Sequence, residues 1–177
     1  MERKARRTEQ LEIRVYTEDG PELDGAIDEY VLVYNKSWKN NEPYPEFMPA
    51  LIRVSARLGI LRLGILYMNG APVAAQLWLA SDGHAIIYKI AYDENFKDLS
   101  VGSILSMELF RQSIDQDNVE EIDYGLGSEA YKQDWMESKR DIVMIETYNT
   151  STLIGLALDL SESIKRSIKR VIGRGQE

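Results

Sequence analysis

Three apolar runs, Leu61 to Met68, Val73 to Ala80 and His84 to Tyr92, lie so close together that only tight turns fit between them. The first gap carries Asn69-Gly70, the pair best able to hold the positive φ angles of a two-residue hairpin. The second carries Ser81-Asp82-Gly83, another turn sequence. The spacing predicts an antiparallel meander, and the rest of the chain has to pack around it.

Upstream, Leu11, Ile13 and Val15 alternate with polar partners, which predicts a strand over Leu11 to Thr17. Leu23, Ile27, Tyr30, Val31, Tyr34 and Trp38 recur at helical spacing and predict an amphipathic helix from Glu22 to Lys39. Phe47, Leu51, Val54 and Leu58 mark a second helix, stopped by Gly59. Downstream of the meander, Asp93 to Leu99 reads as a loop, and Ser100 offers a hydroxyl to cap the next helix. Val101, Ile104, Leu105, Leu109 and Ile114 share one face of that helix, which is expected to reach Asp117. A short strand over Val119 to Gly125, a helix over Ser128 to Ser138 and a strand over Asp141 to Tyr148 follow. Leu153, Leu156, Leu160, Ile164, Ile168 and Val171 predict a final amphipathic helix with a basic end.

The expected order is β-α-α-β-β-β-α-β-α-β-α. One helix separates the strand ending at Tyr92 from the strand ending at Tyr124, a crossover that makes those two strands parallel neighbours. The fold class is therefore α/β in the α+β sense: a mixed, mostly antiparallel sheet with helices on both faces and one parallel strand pair. Residues 1–10 read as a flexible basic tail, 11–150 as the folded domain, and 151–177 as the C-terminal helix.

Composition narrows the chemistry. The chain of 177 residues has no cysteine and one histidine, so thiolate chemistry is excluded and no metal site is expected. The net charge of -8 speaks against general nucleic-acid binding. No apolar run is long enough to cross a bilayer, and the start MERKARR lacks the apolar centre of a signal peptide, so a cytoplasmic location is expected.

Two stretches concentrate groups able to do chemistry. In Phe96 to Leu105, a helix N-terminus with Gly102 in its first turn and Lys97 before it could cradle a phosphate, or could be an ordinary helix start whose glycine packs against the sheet. In Ile122 to Trp135, polar groups crowd a double-glycine turn. Asp123 ends an apolar strand, where ligands often bind in α/β sheets. Glu129 suits the first turn of a helix by its charge alone. Tyr131 and Trp135 are spaced to share a helix face, and Lys132 is spaced to pair with Glu129.

The order of elements and the string Lys97-Asp98-Leu99-Ser100-Val101-Gly102 resemble the GNAT acyltransferases. Their acyl-CoA pyrophosphate sits on a loop of pattern Arg/Gln-x-x-Gly-x-Gly/Ala. Here Gly102 matches, Lys97 stands where the family has Arg or Gln, and Ser100 replaces the first glycine. Within that superfamily, Asn69-Gly70-Ala71-Pro72-Val73-Ala74, Tyr92-Asp93, Ser100-Val101-Gly102 and the string from Asp123 through Tyr131-Lys132 to Trp135 look like the CelD-like branch. Its members are acetyltransferase domains associated with cellulose or exopolysaccharide biosynthesis and related to FemAB aminoacyl transferases.

The resemblance implies acetyl-CoA as donor substrate, held by Ala91, Tyr92, Lys97, Ser100, Val101, Gly102 and Ser103. It implies a slot between the two parallel strands, with Gly125, Gly127 and Lys132 on the acceptor side. Tyr131 is then the acid for the departing thiolate, with Asp123 or Glu129 as base. The reaction is direct attack of an amine or hydroxyl of a small-molecule acceptor, such as a sugar, on the thioester. Two other readings stay open: FemAB-like aminoacyl transfer, and a half-domain that binds a partner without turnover. Family members usually carry a similar upstream half, so a missing N-terminal half or a homo-oligomer is the partner expected.

Overall fold

The computed structural model describes residues 10–127 and 129–173. The basic tail expected over residues 1–10 falls outside them but for its last residue, and so does Ser128. The chain divides into two compact units, Met1–Lys132 and Gln133–Glu177.

The first unit is built on a five-stranded sheet. In chain order it comprises β1 (Leu11–Tyr16), α1 (Leu23–Asn35), α2 (Phe47–Arg57), β2 (Leu61–Met68), β3 (Ala71–Ser81) and β4 (His84–Tyr92). A 3-10 segment (Glu94–Leu99), α3 (Val101–Asp115), β5 (Glu121–Asp123) and the single turn α4 (Ala130–Gln133) follow. The spatial order is β1-β2-β3-β4-β5. All neighbours are antiparallel except β4 and β5, which are parallel, as the crossover through α3 requires.

The meander forms as its turns dictate. Asn69 and Gly70 both take positive φ, at 52° and 81°, and Asp82 and Gly83 do the same at 50° and 76°. These angles match the right-handed twist of the flanking strands, and glycine reaches them without a Cβ clash. β2 and β3 are buried on both faces. On one face Leu61, Leu63, Ile65, Ala75, Leu77 and Ala91 pack under α1 and α2, with Tyr30, Val33 and Ile52 at the centre. On the other, Leu105 and Leu109 of α3 are fully buried against Gly64 of β2. A helix on either face thus removes both sides of the central strands from water, which is the largest favourable term available to a domain of this size.

Three expectations need correction. α1 ends at Asn35, four residues early, so Trp38 lies beyond the helix. The helix expected over Ser128 to Ser138 contracts to Ala130–Gln133. One turn fixes several dihedrals for very few hydrogen bonds, and the left-handed Gly125 and Gly127 stand directly before it. The strand expected over Asp141 to Tyr148 does not form. The second unit has one regular element besides the end of α4, namely α5 (Leu153–Gly173), among the described residues. Ile142, Val143, Met144 and Ile145 are exposed, each by 76% or more. Apolar residues favour a strand only where a pleated, half-covered surface receives them, and this run pairs with no strand among the described residues.

Candidate active site

β4 and β5 pair only through His84↔Glu121, Ala85↔Ile122 and Ile86↔Asp123. β4 then runs on for six more residues, to Tyr92, still paired with β3 but with no strand on its β5 side among the described residues. The parallel pair therefore parts, and a slot opens along β4 between Ile87 and Tyr92. Strand pairing shifts between Leu77 and Trp78, so Tyr88 is an extra residue on β4 at the head of the slot. The Asp93 N–H bonds the Val73 carbonyl at 2.9 Å on the β3 side. Backbone groups alternate along a strand, so those of Ala91 also face β3, while those of Ile90 and Tyr92 face the slot. Of Ala91 and Tyr92, only Tyr92 turns its backbone groups toward the slot.

At the end of the slot lies the start of α3. A cavity of about 150 Å³ is lined by Tyr92, Lys97, Ser100, Val101, Gly102 and Ser103. Ser100 accepts the Ile104 N–H at 3.0 Å through its carbonyl. The N–H groups of Val101, Gly102 and Ser103 have no partner among the described residues, as expected of a first helical turn. Ser100 does not cap through its hydroxyl. It adopts the left-handed conformation, φ 56° and ψ 33°, that the replaced glycine would favour, and its side chain makes no cap bond. Gly102 is needed for close approach: a Cβ there would lie 3.2 Å from Cδ1 of Tyr92.

A buried polar hub fixes this corner. Gln76, on β3, is fully buried. Its Nε2 donates to the Gly102 carbonyl at 2.9 Å and to Ser106 Oγ at 2.8 Å, while its Oε1 accepts from Trp78 Nε1 at 2.9 Å. Gln76 thereby ties the first turn of α3 to the sheet. Asp93, also buried, accepts from the N–H and Nδ2 of Asn95 and lies 3.6 Å from Lys36 Nζ. That anchors the loop between β4 and α3 to the end of α1.

The other wall of the slot is the segment after β5. Tyr124 is buried, and burial pushes its phenol up to about 12. Its ring sits 6.5 Å from Phe110 and 6.0 Å, edge-on, from Tyr131. Tyr131 is 48% exposed, and burial of the remainder raises its pKa, so the phenol keeps its proton in neutral water. Asp123 Oδ1 accepts the Gly125 N–H at 2.7 Å, closing the turn. Lys132 Nζ donates to the Leu126 carbonyl at 2.6 Å and pairs with Glu129 at 2.9 Å. That ammonium holds the exposed Glu129 carboxyl below the usual range.

Over the slot hangs the link between α1 and α2. Trp38 stacks on Tyr92 with ring centroids 4.5 Å apart. Lys89 of β4 pairs with Glu42 at 2.5 Å. Lys39 places its Nζ 5.4 Å from the Trp38 ring centroid. Of these five, Tyr92 alone is a site residue expected from sequence; Trp38, Lys39, Glu42 and Lys89 are not. Trp38 was assigned to the helix stripe, and no motif marks Lys39 or Glu42.

Comparison with known proteins agrees with this geometry. A family model described as an acetyltransferase (GNAT) domain matches residues 1–133. The chain belongs to the GNAT acetyltransferase family. As a GNAT domain it shares its fold with solved relatives of low identity. The aminoglycoside N-acetyltransferase AAC(6')-Iy in complex with CoA has a TM-score of 0.58 at 12% identity, covering 79% of this chain and 97% of that one. Glucosamine-6-phosphate N-acetyltransferase from Arabidopsis thaliana has a TM-score of 0.54 at 12% identity, covering 79% and 99%. The ribosomal-protein-S18-alanine N-acetyltransferase from Escherichia coli has a TM-score of 0.48 at 15% identity, and the match covers 62% of this chain and 63% of that one. A search of curated proteins by sequence finds no match. Among the described residues no cluster of three or more metal-binding side chains occurs, and no helix is long and apolar enough to cross a membrane.

Proposed function

We propose that this GNAT acetyltransferase moves the acetyl group of acetyl-CoA to an amine or hydroxyl of a small-molecule acceptor by direct attack on the thioester. The observation that carries the proposal is the coincidence of two features at one corner. Three helix N–H groups without a partner among the described residues sit at Val101, Gly102 and Ser103, and the slot left where the β4–β5 pair parts after Ile86 runs down β4 to end beside them at Tyr92. The N–H groups and the helix dipole suit a pyrophosphate, and Lys97 adds a cation at the rim. The unpaired edge of β4 suits an extended, amide-bearing arm such as pantetheine, which can bond it as a strand would.

The chemistry follows from the slot walls. Backbone groups of Tyr92 face the place where a thioester carbonyl would lie and can stabilise its developing charge. The protonated Tyr131 supplies a proton to the leaving sulfur. Asp123 and Glu129 are the candidate paths for the acceptor's proton, with Gly125, Gly127 and Lys132 shaping the acceptor wall. The resemblance to the CelD-like branch, together with sugar-modifying proteins among the structural relatives, supports an amino sugar or sugar hydroxyl as acceptor, with a role in polysaccharide assembly and a cytoplasmic location.

Calorimetric titration of the whole chain with acetyl-CoA tests the reading. Saturable binding, with acetyl transfer to an amino-sugar panel followed by thiol release, is the expected result, and absence of any binding sinks it. One observation favours a second reading, in which a half-domain binds without turnover. Both candidate bases are already engaged, Asp123 by Gly125 and Glu129 by Lys132. Tight acetyl-CoA binding without thiol release toward any acceptor would select that second reading.

A further inference from the structure

Lys39 feels the charges of both walls of the slot. It lies within electrostatic reach of Lys89 and Glu42 on the β4 side, and of Glu129 and Lys132 on the side of the segment after β5. It sits beside Trp38, which is 49% exposed and stacks on Tyr92, a lining residue of the cavity at α3. Lys39 is therefore placed over the opening and not on a remote surface.

The charges around it do not cancel. Three ammonium groups, Lys39, Lys89 and Lys132, face two carboxylates, Glu42 and Glu129. Each carboxylate is already taken: Glu42 by Lys89 at 2.5 Å, Glu129 by Lys132 at 2.9 Å. Asp123, at the end of β5, is turned onto the Gly125 N–H. Lys39 makes no ion pair among the described residues, and a cation over an indole ring keeps its full charge. Burial, then the neighbouring Lys89, makes its proton easier to lose than that of a free lysine, which marks a cation short of an anion. In a chain with a net charge of -8, an anionic acceptor would be repelled at long range and needs such a local cation to dock.

We propose that Lys39 is a specificity-determining residue of the acceptor site, selecting acceptors that carry an anionic group, a phosphate or carboxylate, besides the nucleophile. This rests on the acetyl transfer proposed above. An incoming phosphate would complete the pairing that the protein leaves open on Lys39, while Lys89 and Lys132 stay with their own carboxylates.

The test compares glucosamine with glucosamine 6-phosphate as acceptors for the full chain at saturating acetyl-CoA. The two differ by one anionic group, so any difference isolates it. The expected kcat/KM favours the phosphate by about tenfold or more, as a charge-assisted contact allows. Lys39→Met is expected to erase that preference by raising KM for the phosphorylated acceptor, and Lys39→Arg to keep most of it. Equal use of the two acceptors, use of neither, or a preference that survives in Lys39→Met overturns the proposal. A loss in Lys39→Met that appears instead in the calorimetric affinity for acetyl-CoA also overturns it, and assigns the cation to the donor's phosphates. Failure of the wild-type chain to bind acetyl-CoA at all is a different result, which removes the acetyl-transfer reading itself.

Discussion

The two walls of the slot are made by different physics. The corner where β4 meets α3 is set by the core: Val101 is fully buried, the buried Gln76 side chain makes three hydrogen bonds, and Tyr92 closes on Gly102 so that a Cβ would lie only 3.2 Å from its ring. The lip from Gly125 to Lys132 is held by short-range polar contacts, Asp123 to Gly125 and Lys132 to Leu126 and Glu129, with Leu126 76% exposed above them. A wall fixed by the core cannot shift without disturbing the fold, so it suits an invariant donor. A wall pinned locally can change with little cost to stability, so it suits a variable acceptor. Mutations should therefore separate the two: on the donor corner binding and stability fall together, while on the lip activity falls alone.

The largest effect is expected from Gly102→Val. Two γ-methyl groups would be driven into the Tyr92 ring and across the N–H groups of the first turn. Acetyl-CoA binding by calorimetry should drop below detection, with urea unfolding showing whether the fold survives. Retained affinity would break the assignment of the donor corner. Next comes Gln76→Leu, which strands the Trp78 indole N–H and frees the carbonyl of Gly102 from the sheet. A loss of about 2–4 kcal/mol in urea unfolding is expected, since each buried group left unpaired costs roughly 1–3 kcal/mol. Donor affinity should weaken in the same variant. If stability falls and affinity does not, the hub serves the core alone.

Tyr131→Phe probes the opposite wall. A positioned proton donor contributes on the order of 100-fold to rate, so kcat should fall by about that factor. The ring stays edge-on to Tyr124, so the unfolding midpoint should barely move. A fall in stability with unchanged kcat would return Tyr131 to the role of a packing residue.

The asymmetry between the walls also explains what could be read from sequence. Local rules governed the meander: Asn69-Gly70 and Asp82-Gly83 take the turn angles those residue types favour, and Gly102 and Lys97, adjacent in sequence to one helix start, line one cavity there. The parallel pair followed from a single crossover length. What local rules could not show depends on register between distant segments. Gln76 becomes a hub only because Gln76 pairs with Ile90 and α3 crosses that face, which sets it beneath Gly102. Trp38 and Lys39 reach the slot because α1 stops at Asn35, and no capping residue in the sequence marks that stop. The run at Ile142 to Ile145 misled because strand propensity describes a surface to be joined, and no partner strand is there among the described residues.

The smallest effect expected is a gain, from Ser100→Gly. Serine at φ 56° carries a Cβ against the following carbonyl, a strain of roughly 1–2 kcal/mol for an L-residue in the left-handed region. Its hydroxyl recovers none of this through a cap bond. Glycine removes the strain but enlarges the unfolded ensemble, which returns about 0.4–1 kcal/mol. The net is a stabilisation of up to about 1.6 kcal/mol, readable as a rise in the urea midpoint at constant slope. The N–H groups of Val101 to Ser103 keep their positions, so acetyl-CoA affinity should hold or improve. A serine retained for a contact with the donor predicts the reverse, a more stable protein that binds acetyl-CoA less tightly. In that case the departure from the family's glycine would itself be part of the donor site.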